Sequence, residues 1–404
     1  MSKIKLHWQI LIALLIGIIY GLYFPQYVEY VKWMGDLFLR GLKMVIVPLI
    51  LTSIISGVTN IGTGENLGRL GLKTMMYYIF TSIFAILIGL LFVNILQPGV
   101  GADLGFTKEV EGLKIARESF GDTLLNIIPS NVFESFTQGN MLSVIFFAIL
   151  FGYFITRVNE DARINLTNFF SSAFEVMMKI TMFVIKFTPF GILGIVANTV
   201  AEQADALNVA QRLGLYMIAV LLGLFFHSFI TLPLILKFVG GVNPKKHFRA
   251  LTTPLVTAFT TSSSNATLPL TMDAVENECG VSNKITSFTL PLGATINMDG
   301  TALYECVAAM FIAQAYGIEL GFGQQLIVVA TALLASIGAA GIPMAGLVMI
   351  TIILSAVGLP LEGVGLILAV DRILDMCRTT VNVWSDSCGA VVIAKTEGES
   401  LKIE

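Results

Sequence analysis

The sequence contains little charge for its length. Only 13% of its 404 residues are Asp, Glu, Lys or Arg, whereas a soluble domain carries about 25%. Hydrophobic residues make up 55%, and the mean hydropathy is +0.83. The net charge is −3 and no basic run is present, which excludes a nucleic-acid-binding face. The composition therefore indicates a membrane protein.

Cysteine and histidine are also scarce. The four cysteines show neither metal-binding nor disulfide spacing, so we interpret them as packing residues. They are Cys279, Cys306, Cys377 and Cys388. We expect none of the three histidines to lie near the polar cluster described below, and no nucleophile–base pair is visible. They are His7, His227 and His247. The sequence therefore predicts neither an enzyme nor an organic cofactor.

Long apolar stretches predict membrane helices. Six of them approach or exceed the roughly 20 residues that cross a bilayer: 6–24, 36–58, 70–97, 139–156, 165–198 and 211–239. The first lacks a small-residue cleavage site, so we interpret it as a membrane helix and not as a signal peptide. The fifth is broken by Pro189 and Gly191. Ten Lys and Arg residues in one set of loops against five in the other predict a cytoplasmic N-terminus. We expect both termini to be cytoplasmic.

The region after residue 245 predicts a repeated unit. Two stretches, 248–278 and 325–357, are each interrupted at mid-length by small residues and Pro. We expect each to form a re-entrant hairpin, followed by a long helix with intramembrane charge at 283–316 and 361–393. Such paired interruptions mark the binding sites of secondary transporters. The alternative is two ordinary kinked helices, since Gly and Pro are common in membrane helices.

Two segments concentrate polar groups at membrane depth. Residues 297–301 read NMDGT, and we expect the Gly to unwind the helix there and free carbonyl oxygens beside Asp299. In the last helix, five polar residues fall on one stripe: Asp375, Arg378, Thr379, Asn382 and Asp386. Each such charge costs about 2.5–3.5 kcal/mol to insert. The groups therefore mark a pathway for ions or substrate, or else form an ion-pair network that only locks helices together.

The formal charge of these segments favours cations. Asp299, Glu305, Asp375 and Asp386 oppose one cation, Arg378, which leaves three uncompensated negative charges. A buried site of that charge needs cations or protons. All the ligand groups are hard oxygens, which suit an alkali cation. Thr81 and Ser82 of the third span add two hydroxyls, although such residues often bond to their own backbone.

Four motifs in order resemble the glutamate transporter family of dicarboxylate/amino acid:cation symporters. They are SSSNATLP at 262–269, NMDGT at 297–301, ASIGAAGIP at 335–343 and DMCRTTVNV at 375–383. The resemblance covers nearly the whole chain. It implies an all-α membrane protein with eight transmembrane helices and two re-entrant hairpins in inverted repeats. It also implies a homotrimer that works by an elevator movement.

The resemblance also implies two kinds of domain. Scaffold helices 1 and 2 would lie in 1–69, and scaffold helices 4 and 5, with their loop, in 99–205. The mobile transport domain would comprise helix 3 at 70–98 and residues 206–404, which hold helices 6, 7 and 8 and both hairpins. The hairpins would be its gates. Its substrate residues would be Arg378 for the distal carboxylate, Asp375 for the amino group, and Thr301, Thr379, Asn382, Ser263, Ser264, Gly341 and Ile342.

By the same resemblance, sodium would bind at three places, each with its own ligands. The first would use Gly293, Asn297, Asn382 and Asp386. The second would use Tyr78, Thr81, Ser82, Asn297 and Asp299. The third would use backbone atoms of Thr295, Met298, Ser336, Ile337 and Ala339.

The sequence departs from parts of the family at three positions. Glu305 follows Tyr304, as in the proton-coupled branch, so we predict that it carries a proton. Ser262 replaces an Arg of archaeal members, and Met376 replaces an Arg of animal glutamate carriers. We predict a sodium-coupled symporter for glutamate or aspartate. The alternatives are a C4-dicarboxylate or neutral amino acid carrier of the same fold and, from another class, an ion channel.

Overall fold

The computed structural model describes residues 6–60, 65–102, 128–138, 141–202, 206–338 and 345–404. Regular structure in these ranges is helical throughout. The helices are α1 (Leu6–Tyr23), α2 (Glu29–Asn60), α3 (Glu65–Leu96), α4 (Val132–Gln138), α5 (Met141–Ile155), α6 (Glu160–Ile185), α7 (Thr188–Glu202), α8 (Ala206–Phe226), α9 (Leu232–Phe238), α10 (Pro244–Ala250), α11 (Thr252–Thr261), α12 (Ser264–Asp273), α13 (Asn283–Ile296), α14 (Asp299–Ala315), α15 (Phe322–Gly338), α16 (Ala345–Ala356) and α17 (Val364–Thr396).

Four of the described helices are long and apolar enough to cross a membrane. They cover Glu29–Thr59, Arg69–Leu96, Glu160–Ile185 and Gln211–Phe238. The last of these runs through a π-helical turn between α8 and α9. The predicted spans 36–58, 70–97 and 211–239 are thereby confirmed, whereas 6–24 and 139–156 fall on shorter apolar helices.

The predicted fifth span, 165–198, is two helices, as its interruption suggested. The break lies at Lys186 and Phe187, just before α7. Pro189 is the second residue of α7, where a missing N–H costs nothing. Gly191 does not break the helix, contrary to our expectation. It is needed for packing, since a Cβ there would lie 2.4 Å from the ring of Phe38.

The first helices pack closely through small residues. α1 packs along α7, and α2 contacts α5, α6 and α7. A Cβ on Gly194 of α7 would lie 2.6 Å from the backbone N of Gly35 and the backbone O of Val31 in α2. These two helices therefore touch backbone to backbone, which leaves no room for a side chain between them.

The two predicted hairpins are pairs of packed helices. α11 contacts α12, and α15 contacts α16. The first pair is joined by Ser262, with φ +52°, and Ser263, whose Oγ accepts a hydrogen bond of 3.2 Å from the N–H of Ala266. This cap starts α12 directly after the turn. The connection of the second pair lies outside the described residues, as do the predicted ligands Ala339, Gly341 and Ile342.

The predicted helix 283–316 is interrupted, as expected, but not for the expected reason. The break falls at Asn297 and Met298, between α13 and α14, and Gly300 is in the first turn of α14. Gly300 instead permits close packing, because a Cβ there would lie 2.6 Å from the backbone O of Arg378 in α17. Gly300 therefore allows α14 to pack against α17. The break itself lies before it, since α13 ends at Ile296.

Candidate functional site

The polar stripe predicted on the last helix is buried inside the protein. Exposure is 1% for Arg378, 6% for Thr379, 5% for Asn382 and 3% for Asp386, and the Asp375 side chain is 16% exposed. α17 packs here against α13 and α14, so the stripe faces the interrupted helix. Both predicted polar segments therefore meet, although about 80 residues separate Gly300 and Asn382 in sequence.

Arg378 is held at one corner of its guanidinium. Its Nη2 lies 2.9 Å from Asp375 Oδ1 and 3.1 Å from Asp371 Oδ1, and its Cζ stands 3.8 Å from the ring centroid of Tyr304. Among the described residues, its Nε and Nη1 have no hydrogen-bond partner. The aromatic face and the two carboxylates fix the guanidinium, and two of its nitrogens remain open to a ligand.

Two residues beside Arg378 were missed as site residues. Asp371 is 4% exposed and brings the formal charge of the buried cluster one unit lower than the sequence argument counted. Gly346 lies in the second helix of the second pair, and a Cβ there would be 2.5 Å from Nη1 of Arg378. For Asp371, the only signal in the sequence was its position seven residues, or about two helical turns, before Arg378. For Gly346, the sequence carried no signal.

Asn382 and Thr301 bind each other across the interface of α17 and α14. The Asn382 side chain accepts from the backbone N–H of Gly300 at 2.8 Å and donates to Thr301 Oγ1 at 3.1 Å. The first of these bonds satisfies an N–H that the break in the helix leaves free. The predicted substrate residues Arg378, Asn382 and Thr301 therefore share one interface.

Asp299 is the centre of a second, fully buried network. Its Oδ1 accepts from Ser82 Oγ at 2.6 Å and Thr81 Oγ1 at 3.3 Å, both in α3. Its Oδ2 accepts from Ser385 Oγ at 2.6 Å and lies 3.0 Å from His227 Nε2. The carboxylate thus joins α3, α14, α17 and the π turn after α8.

His227 corrects the expectation that none of the histidines lies near the polar cluster. It is fully buried and contacts Asp299 directly. Ser385 was missed as well. A lone histidine in an apolar helix carries no sequence signal for a partner 72 positions away, which is why the pattern gave the wrong result.

Asp386 lies next to the same network. Asn297 donates from Nδ2 to Asp386 Oδ1 at 2.8 Å and to Ser385 Oγ at 3.0 Å. A Cβ on Gly293 would lie 2.6 Å from Asp386 Oδ1 and 2.7 Å from Tyr78 OH, so this glycine allows both groups to approach α13. The structure therefore brings together Tyr78, Gly293, Asn297 and Asp386.

Thr81 and Ser82 were predicted either to add hydroxyls to the ion site or to bond to their own backbone, and the two residues differ in this respect. The Ser82 hydroxyl donates to Asp299, whereas Thr81 Oγ1 also lies 3.2 Å from the carbonyl O of Tyr77 and of Tyr78. Tyr78 OH donates to Thr289 O at 2.8 Å. The two hydroxyls thus lie at the Asp299 carboxylate even though one of them is shared with its own helix.

Two other predicted hydroxyl side chains bond to carbonyls of their own helices. Thr295 Oγ1 donates to Leu292 O at 2.8 Å, and Ser336 Oγ to Leu333 O at 2.8 Å. The carbonyl of Met298 accepts from the N–H of Ala302 at 2.8 Å. Ile337 is the penultimate residue of α15, and Ser264 is the first residue of α12. Ser263 serves as a helix cap.

Glu305 differs from the other buried carboxylates. It is fully buried in α14, six residues beyond Asp299, yet within the described residues neither of its oxygens has a hydrogen-bond partner. A carboxylate without partners is costly to bury in its charged form. The chemistry of this position therefore favours a group that holds a proton.

Helices that could cross a bilayer, an interrupted helix and a buried oxygen-rich cluster define a multi-pass membrane transporter. A model of the sodium:dicarboxylate symporter family matches residues 6–396. The chain belongs to this family, whose members are transporters and not enzymes.

Relatives match over most of the chain. A proton/sodium-glutamate symport protein of Geobacillus stearothermophilus is 37% identical, covering 99% of this chain and 96% of the relative. A proton/glutamate-aspartate symporter of Escherichia coli K12 is 34% identical, covering 98% and 93%. The human excitatory amino acid transporter 3 is 37% identical, covering 92% and 80%. The resemblance inferred from the motifs is confirmed.

Proposed function

We propose that this protein is a sodium-coupled symporter for acidic amino acids, glutamate or aspartate. The observation that carries this is the buried guanidinium of Arg378, held through Nη2 while Nε and Nη1 have no partner among the described residues. Both nitrogens carry N–H groups that can donate to a ligand carboxylate, and the fixed positive charge of the guanidinium favours an anionic ligand. The names of the bacterial relatives agree with this substrate class.

An acidic amino acid also explains the groups around Arg378. Its distal carboxylate would bind Arg378, and its amino group would take Asp375, whose Oδ1 is now 2.9 Å from Nη2. Thr301, Thr379 and Asn382 would bind the remaining polar groups, and the tips of the two helix pairs, with Ser263, Ser264, Gly341 and Ile342, would close over the substrate. A C4-dicarboxylate is the second candidate, because the family name includes dicarboxylates.

Sodium would be the driving ion. Asp386 with Asn297, Gly293 and Asn382 would hold one ion, and Asp299 with Thr81, Ser82, Tyr78 and Asn297 another. In the second group, the hydroxyl oxygen of Ser82 lies 2.6 Å from Asp299 Oδ1. The hydroxyl oxygen of Thr81 lies 3.3 Å from Asp299 Oδ1 and 3.4 Å from Asn297 Oδ1. Backbone atoms of Thr295, Met298, Ser336, Ile337 and Ala339 would hold a third ion. Hard oxygen ligands of this kind suit an alkali cation.

The working assembly we propose is a homotrimer with an elevator movement. Helices in 1–69 and 99–205 would form the scaffold, and 70–98 with 206–404 would form the transport domain. The concentration of buried polar groups in the second set supports this division, since the cargo must travel with its ligands. Both termini would be cytoplasmic.

Glu305 would couple transport to a proton. Neither carboxyl oxygen has a hydrogen-bond partner in the described ranges, so the group would bind a proton in the loaded state and release it on the other side. The relatives named proton/sodium-glutamate and proton/glutamate-aspartate symporters agree with this step.

The test is uptake into proteoliposomes with sodium, proton and potassium gradients imposed separately. We expect sodium-driven uptake of glutamate or aspartate that acidifies the lumen, and no acidification with Glu305→Gln. Competition by succinate as strong as by aspartate would favour the C4-dicarboxylate carrier. Equal acidification in both proteins, or none in wild type, would remove Glu305 from the mechanism and leave sodium as the coupling ion.

A further inference from the structure

The two oxygens of Asp299 have donors of different kinds. Oδ1 accepts from two hydroxyls, Ser82 at 2.6 Å and Thr81 at 3.3 Å. Oδ2 accepts from the hydroxyl of Ser385 at 2.6 Å and lies 3.0 Å from Nε2 of His227. A carboxylate that binds a cation is ionised and can only accept, so Nε2 of His227 is the donor in the cation-binding form.

This difference decides which oxygen can face a cation. A hydroxyl has one hydrogen and two lone pairs, and its O–H can rotate without moving the oxygen. Ser82 and Thr81 can therefore turn from donors into ligands when a cation arrives at Oδ1. An imidazole N–H has no such freedom, so the bond from His227 to Oδ2 is the one that persists.

His227 is placed for this contact. It begins the π-helical turn His227–Thr231, and π turns often occur at functional positions. Trp384 of α17 donates from Nε1 to the carbonyl of Ser228 at 3.1 Å, which ties this turn to the last helix. Within the described residues, Nδ1 of His227 has no hydrogen-bond partner. Among the residues that the structure describes, the side chain therefore makes its one polar contact with Asp299.

We propose that His227 is a positioning residue for cation binding at Asp299. By holding Oδ2 it turns Oδ1 toward Thr81 and Ser82, in the orientation that receives sodium. The effect would be on ion affinity and not on the substrate, whose proposed residues lie around Arg378. This inference rests on the proposed function, since it assumes that sodium binds at Asp299.

Two amide variants test the position of the donor. The amide nitrogen of His227→Gln reaches approximately the place of Nε2, whereas that of His227→Asn reaches only the place of Nδ1. The sodium concentration for half-maximal uptake should rise about tenfold in His227→Asn, the effect of one lost bond to a charged group. It should stay within about threefold of wild type in His227→Gln, and KM for the substrate at saturating sodium should be unchanged in both.

A second measurement avoids transport. The apparent Tm of the purified protein is compared in sodium chloride and in choline chloride of equal ionic strength, because a bound ion raises Tm. Wild type and His227→Gln should respond to sodium at similar concentrations, and His227→Asn only at higher ones. A purely structural role would lower Tm in both salts and leave the sodium concentration dependence unchanged, which would overturn the inference.

The matched control is His247→Gln. His247 is also fully buried, but it lies 3.1 Å from Ser387 Oγ and 3.3 Å from Cys279 Sγ. Its sodium half-saturation should equal that of wild type. If His227→Asn also equals wild type, the inference fails and the symport proposal stands. If wild type itself shows no response to sodium, the proposed function fails, and the inference fails with it.

Discussion

The early helices, α1, α2 and α4–α7, and the late helices, α13–α17, differ in the polar side chains that they bury. In the described parts of α1, α2 and α4–α7, the buried polar residues are all Ser or Thr. They include Thr52, which donates to Pro48 O at 2.8 Å, and Thr181, which donates to Met177 O at 2.8 Å. In α13–α17 the buried set includes Asp299, Glu305, Asp371, Arg378 and Asp386.

The difference separates packing from function. A hydroxyl bonded to its own helix costs little in a membrane, whereas each buried charge costs about 2.5–3.5 kcal/mol. The described parts of the early helices bury no charged side chain. They pack instead through glycines, as at Gly35 and Gly194. Substitutions in the early helices should therefore change stability, and substitutions in the late helices should change transport.

The largest effect is expected at Arg378. Arg378→Ala leaves Asp371 and Asp375 without their buried partner, a loss of about 3–5 kcal/mol, and removes the cation for the distal carboxylate. Uptake of glutamate and aspartate should be abolished in proteoliposomes. The control is Arg372→Ala, since Arg372 is 38% exposed and 3.7 Å from Asp375. Near-normal affinity in Arg378→Ala would show that the role assigned to Arg378 is wrong.

The next effect is expected at Asp386. Asp386→Asn keeps the shape and can still accept from Asn297, but it removes the charge. Apparent sodium affinity should fall at least about tenfold while the protein stays folded. Sodium titration of uptake and gel filtration measure the two properties. A misfolded variant, or one with unchanged sodium dependence, would indicate that the carboxylate only locks helices together.

The late helices and most residues of the candidate site could be predicted from the sequence, because their polar residues interrupt apolar stretches. The stripe on α17 follows from helical periodicity alone, and α14 begins at Asp299, the third residue of the motif that marked the break. His227, Ser385 and Gly346 were missed for a physical reason. Their partners lie on other helices, and neither a hydroxyl beside Asp386 nor a glycine in an apolar helix differs in sequence from a packing residue.

The boundaries in the early helices were harder to predict for a related reason. Pro189 and Gly191 together suggested a break between them, but Pro189 is tolerated in the first turn of α7 and Gly191 makes room for Phe38. A glycine selected for close packing and a glycine selected for its backbone freedom look identical until the neighbouring helix is known.

A packing variant in the early helices should show the opposite signature to Asp386→Asn. Gly194→Ala places a Cβ 2.6 Å from backbone atoms that cannot move aside, and such overpacking costs about 1–3 kcal/mol. Apparent Tm should fall while the sodium half-saturation of the folded fraction is unchanged. Gly57→Ala in α2 is the control, because among the described residues no atom beyond its own stretch of helix lies within 4 Å of a Cβ built there. A change of sodium affinity in Gly194→Ala would contradict the conclusion that the early helices affect stability and not transport.

The smallest effect is expected at the end of α17. Glu397 lies 2.6 Å from Lys73 and 2.6 Å from Arg69, and these cations hold the pKa of its carboxyl below the usual range. A lowered pKa in the folded state gives stability that is present above the unfolded pKa and lost as pH falls through the folded one. Glu397→Gln should therefore lower apparent Tm at pH 7 by no more than about 2 °C, and less in high salt. At a pH below the folded pKa, wild type and variant should melt together. A gap that persists there would assign the loss to packing, and sodium-driven uptake should be unaffected at pH 7.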